Sequence, residues 1–164
     1  MIACLSGKSS RLIELAEQFS PVIEEIAQGE VAFSIDGLGS LFGDARQIAS
    51  EISRRGEHMG VSANLAIAVN KATALLAARC FRGVTIIEPG QEAEALADIP
   101  IASTPAPPDL IVTMERWGIR TLGELAALPE AGIAERLGEP GIQLRRLALG
   151  EGGDTSEGAV GNCG

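Results

Sequence analysis

The sequence predicts an α+β protein: a small antiparallel or mixed sheet with helices on one face, followed by a small all-α unit of the helix-hairpin-helix kind. Three observations carry this. Two short extended runs, residues 22–26 and 31–35, flank Ala27-Gln28-Gly29-Glu30, whose glycine suits a tight antiparallel connection. An apolar run at 61–69 is followed at 71–81 by a stretch rich in Ala and Leu, which is the order of a buried strand and a helix that packs closely on it. A Pro-rich stretch at 98–109 then precedes short helical segments punctuated by Gly118, Gly123, Gly132, Gly138 and Gly141.

In chain order, Ser10 is placed to cap a helix through Leu12, Ile13, Leu15 and Ala16, and Pro21 forces an extended entry into the first strand. In the second run Val31, Phe33 and Ile35 alternate with Ala32 and Ser34, so one face sits on a core while Glu30 and Asp36 end at opposite tips. Asp36-Gly37-Leu38-Gly39 reads as a turn, since the oxygen-ligand spacing of a calcium loop is absent. Asp44 reads as the N-cap of a helix through Ile48 and Ile52 that ends near Arg54-Arg55-Gly56. Residues 84–87 form a last short strand. Phe33, Ile35, Leu65 and Ile67 are expected to share one core with the helix at 71–81, with Glu30 on the surface.

The chain of 164 residues is 46% hydrophobic but only 3% aromatic, enough to bury a core of Ala, Leu, Ile and Val. No window approaches the ~20 apolar residues of a membrane span, and the apolar start at 1–5 is too short for a signal-peptide core. A cytoplasmic protein without membrane partners is expected. Cys4, Cys80 and Cys163 lack metal-ligand spacing, and His58 has no Cys near it in sequence, which favours reduced thiols and no metal centre. The net charge of −9 weighs against tight nucleic-acid binding, which draws its affinity from Lys and Arg on phosphates.

Two local signals are discounted. Gly7-Lys8-Ser9 has the ending of a phosphate loop, but Ile2 stands where that motif needs its first Gly. Glu24 and Glu25 are adjacent on a strand and so face opposite sides.

Several blocks carry a family resemblance. Phe19-Ser20-Pro21-Val22-Ile23-Glu24 is similar to the F-[ST]-P-x-[IV]-E stretch in the palm of Y-family (DinB/UmuC-like) translesion DNA polymerases. The family's Ser-x-Asp-Glu metal site reads Ala27-Gln28-Gly29-Glu30 here, so the resemblance implies that a metal-binding Asp has become Gly29 while Glu30 survives. Residues 60–71, ending in Asn70-Lys71, resemble the strand that precedes the family's lysine-bearing helix, and the second lysine of that helix, which contacts the incoming triphosphate, is Leu75 here. Residues 83–90 resemble the next palm strand, and Trp117-Gly118-Ile119-Arg120-Thr121-Leu122-Gly123-Glu124-Leu125 resembles a thumb segment. The combination looks most like the ImuB subfamily of non-catalytic relatives acting in bacterial mutagenic repair.

The resemblance implies a partial palm at 1–97 and a thumb at 110–149; proline content makes 98–109 a stiff linker between them, and the Gly-rich, aperiodic stretch 150–164 reads as a disordered tail. It implies no catalytic residues at the degenerate positions Gly29, Glu30 and Leu75, no metal cofactor, and an accessory role in translesion repair and SOS mutagenesis. The implied partners are DNA, bound weakly, together with a RecA-like ImuA-type protein, the sliding clamp and an error-prone polymerase. Candidate DNA contacts are Lys71, Gly138, Gly141, Arg145 and Arg146, although Lys71 reads equally as a solvated helix start and the two arginines as a solvated face. In the first thumb hairpin, Thr104-Pro105-Ala106-Pro107-Pro108 lacks the N–H groups of a phosphate cradle, and Trp117 reads as a thumb-core anchor. An active lesion-bypass polymerase using Mg²⁺ is the alternative. A truncated fragment is a third reading, because the family's first strand with its metal-binding Asp, and its fingers, should precede Phe19, where eighteen residues stand.

Overall fold

The computed structural model describes residues 1–151, arranged as two compact units that divide at Glu88 and Pro89. The first unit runs β1 (Ile2–Gly7), α1 (Leu12–Glu17), β2 (Ile23–Ala27), β3 (Glu30–Ser34), α2 (Gly39–Phe42), α3 (Ala45–Met59), β4 (Ala63–Ala68), α4 (Lys71–Cys80) and β5 (Val84–Ile86). The five strands lie in the order β2-β3-β1-β4-β5; β4 and β5 are parallel and the other pairs antiparallel.

The centre of this sheet is the strand that sequence reading passed over. Ala3, Cys4 and Leu5 are all buried because β1 has a strand on each side and helices above and below. Such a strand shows no polar alternation, which is the signal that identifies half-buried strands. Ala3 stands opposite Phe33 and Ile67, and Leu5 opposite Val31 and Leu65. That face closes a core with Leu12, Leu15, Phe19, Ile48 and Ile52 of the α1 and α3 side.

The α+β class stands, but the helices are not confined to one face. Cys4 stands opposite Ala32 and Ala66, and Ile2 opposite Ala68, so the second face is built from small side chains. Helix α4 lies on it with Ala74, Ala77 and Ala78 buried, and Asn64 of that face donates from Nδ2 to the Ala78 carbonyl at 3.0 Å. The expected core is corrected accordingly. Phe33, Ile35, Leu65 and Ile67 do share one core, with α1 and α3 and not with the helix that follows Asn70.

Helix starts follow local chemistry. Asp44 caps α3 in a reciprocal box with Gln47, and Asn70 caps α4 by accepting from the Thr73 amide at 2.8 Å. Helix α3 runs past its expected end at Gly56, which packs under Leu15, and stops at left-handed Gly60. Ser10 is not a cap; α1 begins after Arg11, whose amide is held by the Ser9 hydroxyl.

The second unit contains α5 (Glu92–Leu96), a 3₁₀ turn (Ile101–Ser103), α6 (Pro108–Arg116), α7 (Leu122–Ala126) and α8 (Glu130–Ala148). The stretch expected to be a stiff linker is part of this unit. Ile99, Ile101 and Thr104 are buried, Pro100 bridges to Thr121, and the Thr104 hydroxyl donates to the Ile101 carbonyl at 2.6 Å. Proline content marked the stretch as extended; its regularly placed isoleucines bury it. The expected tail falls, from residue 152 onward, outside the described residues, as does Cys163.

Candidate functional site

The tip of the β2–β3 hairpin and helix α4 bring together the positions that the sequence singles out in the first unit. Gly29 turns the chain at φ +86°, a conformation that favours glycine. Its carbonyl accepts from the Gly7 amide at 2.8 Å, and a Cβ at this position would stand 2.3 Å from the Gly7 carbonyl oxygen. An acidic side chain at 29 therefore requires the end of β1 to move away. The glycine is fixed by backbone packing as well as by the turn.

Glu30, the next residue, is not at the surface. It is 7% exposed and faces α4, where the Arg79 guanidinium donates from Nε to Oε2 and from Nη2 to Oε1, the latter at 2.6 Å. The Arg79 side chain is itself 3% exposed. Charge-assisted, bidentate pairing of this kind is the arrangement that allows two opposite charges to be buried together. At the other end of the same helix the Lys71 ammonium contacts both Glu24 oxygens, at 2.9 and 3.0 Å, with Glu24 half exposed. Leu75 lies between the two cations and is buried. Residues 71, 75 and 79 follow one another at four-residue spacing, so α4 turns this row toward the hairpin.

The four charges surround Cys4. Burial pushes its thiol up to about 12, with the Glu30 carboxylate adding in the same direction and Lys71 and Arg79 opposing. It is a packing residue in its resting form. Glu25 points the opposite way from Glu24, as strand alternation requires, and lines a cavity of about 440 Å³ with Gly7, Lys8, Ser9, Gln28 and Gly29. Asp36, at the far end of β3, bonds the Met1 amino group at 2.8 Å, which lowers its pKa.

In the second unit the expected DNA contacts separate. Gly138, at φ 67°, makes a kink inside α8, and Arg146 is exposed. Gly141 is turned inward, where a Cβ would meet Leu137 Cβ at 2.5 Å and Ile133 Cγ2 at 3.0 Å. Arg145 donates from Nε to the Leu128 carbonyl at 2.8 Å and so ties α8 to the turn before it. Trp117 is 46% exposed, with the Arg136 guanidinium 5.9 Å from its ring centre, and is not the anchor of this unit's core; Met114 and Leu122 are. Pro107 and Pro108 open α6 at positions where a missing N–H costs the helix nothing.

The site residue that sequence reading missed is Arg79. Its signal was present: it stands one turn beyond Leu75 on the same helical face.

No family model matches the chain. It is 33% identical over 146 residues to DNA polymerase IV of Dehalococcoides mccartyi, covering 87% of this chain and 37% of that protein. It is 27% identical over 139 residues to ImuB of Caulobacter vibrioides, covering 85% of this chain and 30% of that one. In structure it is similar to DinB of Sulfolobus solfataricus with a TM-score of 0.68 at 19% identity, over 90% of this chain and 45% of that one. The sheet and its helices thus have the fold of a Y-family polymerase palm. This chain is a homologue of the DNA polymerase IV and ImuB proteins, and it spans only 37% and 30% of the length of those two curated relatives.

Two expectations are overturned. The expected absence of enzymatic function does not stand, because relatives of this sequence are named DNA polymerase IV and its structural neighbours are Y-family polymerases. The expected absence of a cofactor falls with it, since polymerases of this class use divalent metal ions. Among the described residues, no group of three or more His, Cys, Asp or Glu side chains is placed to hold a metal ion. In the arrangement seen, Glu30 is held by Arg79, Glu24 by Lys71, and Glu25 faces away, so these acids do not converge on one ion.

Proposed function

We propose that this chain works in DNA repair and translesion synthesis as the DNA-facing palm and helical unit of a Y-family polymerase homologue. The observation that supports this reading is the continuity of the similarity to DNA polymerase IV, which runs over 87% of the chain and so spans both compact units. Dbh DNA polymerase, a structural neighbour with a TM-score of 0.63, has been solved as an insertion ternary complex, which supports DNA as a partner here. Of the candidate contacts, Arg146 is exposed and Gly138 kinks α8, and these two supply the phosphate contact in this reading; the side chains of Lys71 and Arg145 are engaged within the fold. The setting is cytoplasmic in the same proposal; among the described residues no helix is long and apolar enough to cross a membrane.

Fluorescence anisotropy of a labelled primer–template, titrated with the full chain over a salt series, tests the reading. Binding that weakens steeply with salt and is reduced by Arg146→Glu is the expected result. Absence of binding even at low salt overturns it.

A second reading is favoured by one feature, the commitment of Glu30 to Arg79. In it the chain acts in the manner of ImuB, as an accessory in SOS mutagenesis that joins a RecA-like ImuA-type protein, the sliding clamp and an error-prone polymerase. Direct binding to purified clamp and polymerase, with no dependence on DNA, is its test.

A further inference from the structure

By the resemblance in its sequence, Glu30 falls at the position of a metal-binding carboxylate of the Y-family palm, and the Glu30–Arg79 pair does not fit that use as it stands. Both carboxylate oxygens are taken by guanidinium nitrogens, both side chains are nearly excluded from water, and the neighbouring position is a glycine that cannot gain a side chain without moving β1. Resting on the reading of this chain as a Y-family polymerase homologue, we propose that Arg79 is a positioning residue that decides whether Glu30 is available to a divalent cation. The guanidinium and the ion compete for the same two oxygens.

Three features give Arg79 the advantage in the structure. Its planar fork matches the carboxylate with two parallel bonds, whereas one carboxylate alone offers a divalent ion few of the oxygen ligands it requires. The opposite end of α4 is fastened to the same hairpin by Lys71 and Glu24, so helix and hairpin are held at two points and Arg79 cannot be displaced by a simple rotation of the helix. The hairpin tip is itself fixed to β1 through the Gly7 amide and Gly29 carbonyl, which holds Glu30 facing α4. Withdrawing the guanidinium leaves a buried, unpaired carboxylate, and such a group gains strongly from any cation that can reach it.

The test is Mn²⁺ binding to the DNA-free full-length chain, followed by calorimetry and by thermal unfolding. Arg79→Met is expected to bind Mn²⁺ at least about 10-fold more tightly than the wild type, and to show a Mn²⁺-dependent rise in melting temperature. Arg79→Lys, with the charge kept and the fork lost, falls between them. The gain disappears in the Arg79→Met/Glu30→Gln double variant, which buries no unpaired charge and serves as the folded reference. If Arg79→Met is unfolded on its own, recovery of the fold on adding Mn²⁺ supports the proposal, and failure to recover overturns it. Equal Mn²⁺ affinity in wild type and Arg79→Met, or a gain that persists without Glu30, also overturns it. Because no DNA is present, failure here is separable from failure of DNA binding.

Discussion

The Gly7 amide donates to the Gly29 carbonyl at 2.8 Å, which joins the end of the central strand to the hairpin turn. Gly29 and Gly37 have nearly the same backbone, φ +86° and +88°, yet differ in surroundings: a Cβ on Gly29 meets the Gly7 carbonyl oxygen, and one on Gly37 meets nothing within 4 Å. Gly37→Ala should therefore cost only the left-handed strain, about 1–2 kcal/mol, while Gly29→Ala should exceed it by at least about 1 kcal/mol through the displaced strand. Urea unfolding of the two variants makes the comparison, and equal costs would show that the β1 contact yields freely.

The two ion pairs of α4 should differ in strength. Glu30→Ala leaves Arg79 buried without its carboxylate and should destabilise by about 3–5 kcal/mol. Glu24→Ala removes a half-exposed pair and should change stability by about 0–1 kcal/mol. A small effect of Glu30→Ala in chemical denaturation would mean that the pair is open to water.

Cys4 makes stability fall at alkaline pH. Its folded-state pKa lies near 12 against an ordinary value of 9.0, so the folded chain holds the thiol proton that the unfolded chain releases. The contribution is complete below pH 9.0 and is lost as pH rises from there toward 12. Cys4→Ala should flatten that part of the stability profile. In the native chain at pH 8, alkylation with mass-spectrometric peptide mapping should leave Cys4 unmodified until denaturant is added.

Glu51 makes an acid-side counterpart. Arg54 and Arg55 bond its carboxylate and bring its pKa from 4.5 down to about 2. The folded value is depressed, so its contribution is present above about 4.5 and is lost as pH falls toward 2. Glu51→Gln should reduce the slope of stability with pH across that interval, and an unchanged slope would show the pairing to be absent in solution.

Ile67 and Leu75 are buried on opposite sides of the sheet. Each truncation to Ala should cost about 2–5 kcal/mol, and the double variant should cost close to the sum, as separated sites do. A strongly non-additive double variant would mean that the two layers are coupled.

Alternation and the glycine turn made the β2–β3 hairpin legible, and the capping signal of Asp44 placed the start of one helix. Alternation shows which residues share a face but not which helix covers it, so Phe33 and Ile67 were grouped correctly and assigned to the wrong helix. The strand Ile2–Gly7 was hidden because a strand buried on both faces has no polar phase to read. Glu30 was taken for a surface acid because its partner is 49 residues away in the chain, a separation that no local pattern reports. Arg145 and Gly141 have residue types suited to phosphate contact, but whether such groups face solvent or their own fold depends on packing alone.

The small side chains under α4 have a consequence for the chemistry at its edge. Ala32, Cys4, Ala66 and Ala68 set the height at which the helix rides over the sheet, and that height is the gap the Arg79 side chain spans to reach Glu30. Those four positions act as a spacer gauge: enlarging any one of them lifts the helix and stretches a bond in which none of them takes part. Drift in side-chain volume at the middle of the sheet would thus be registered as a loosened ion pair at its rim.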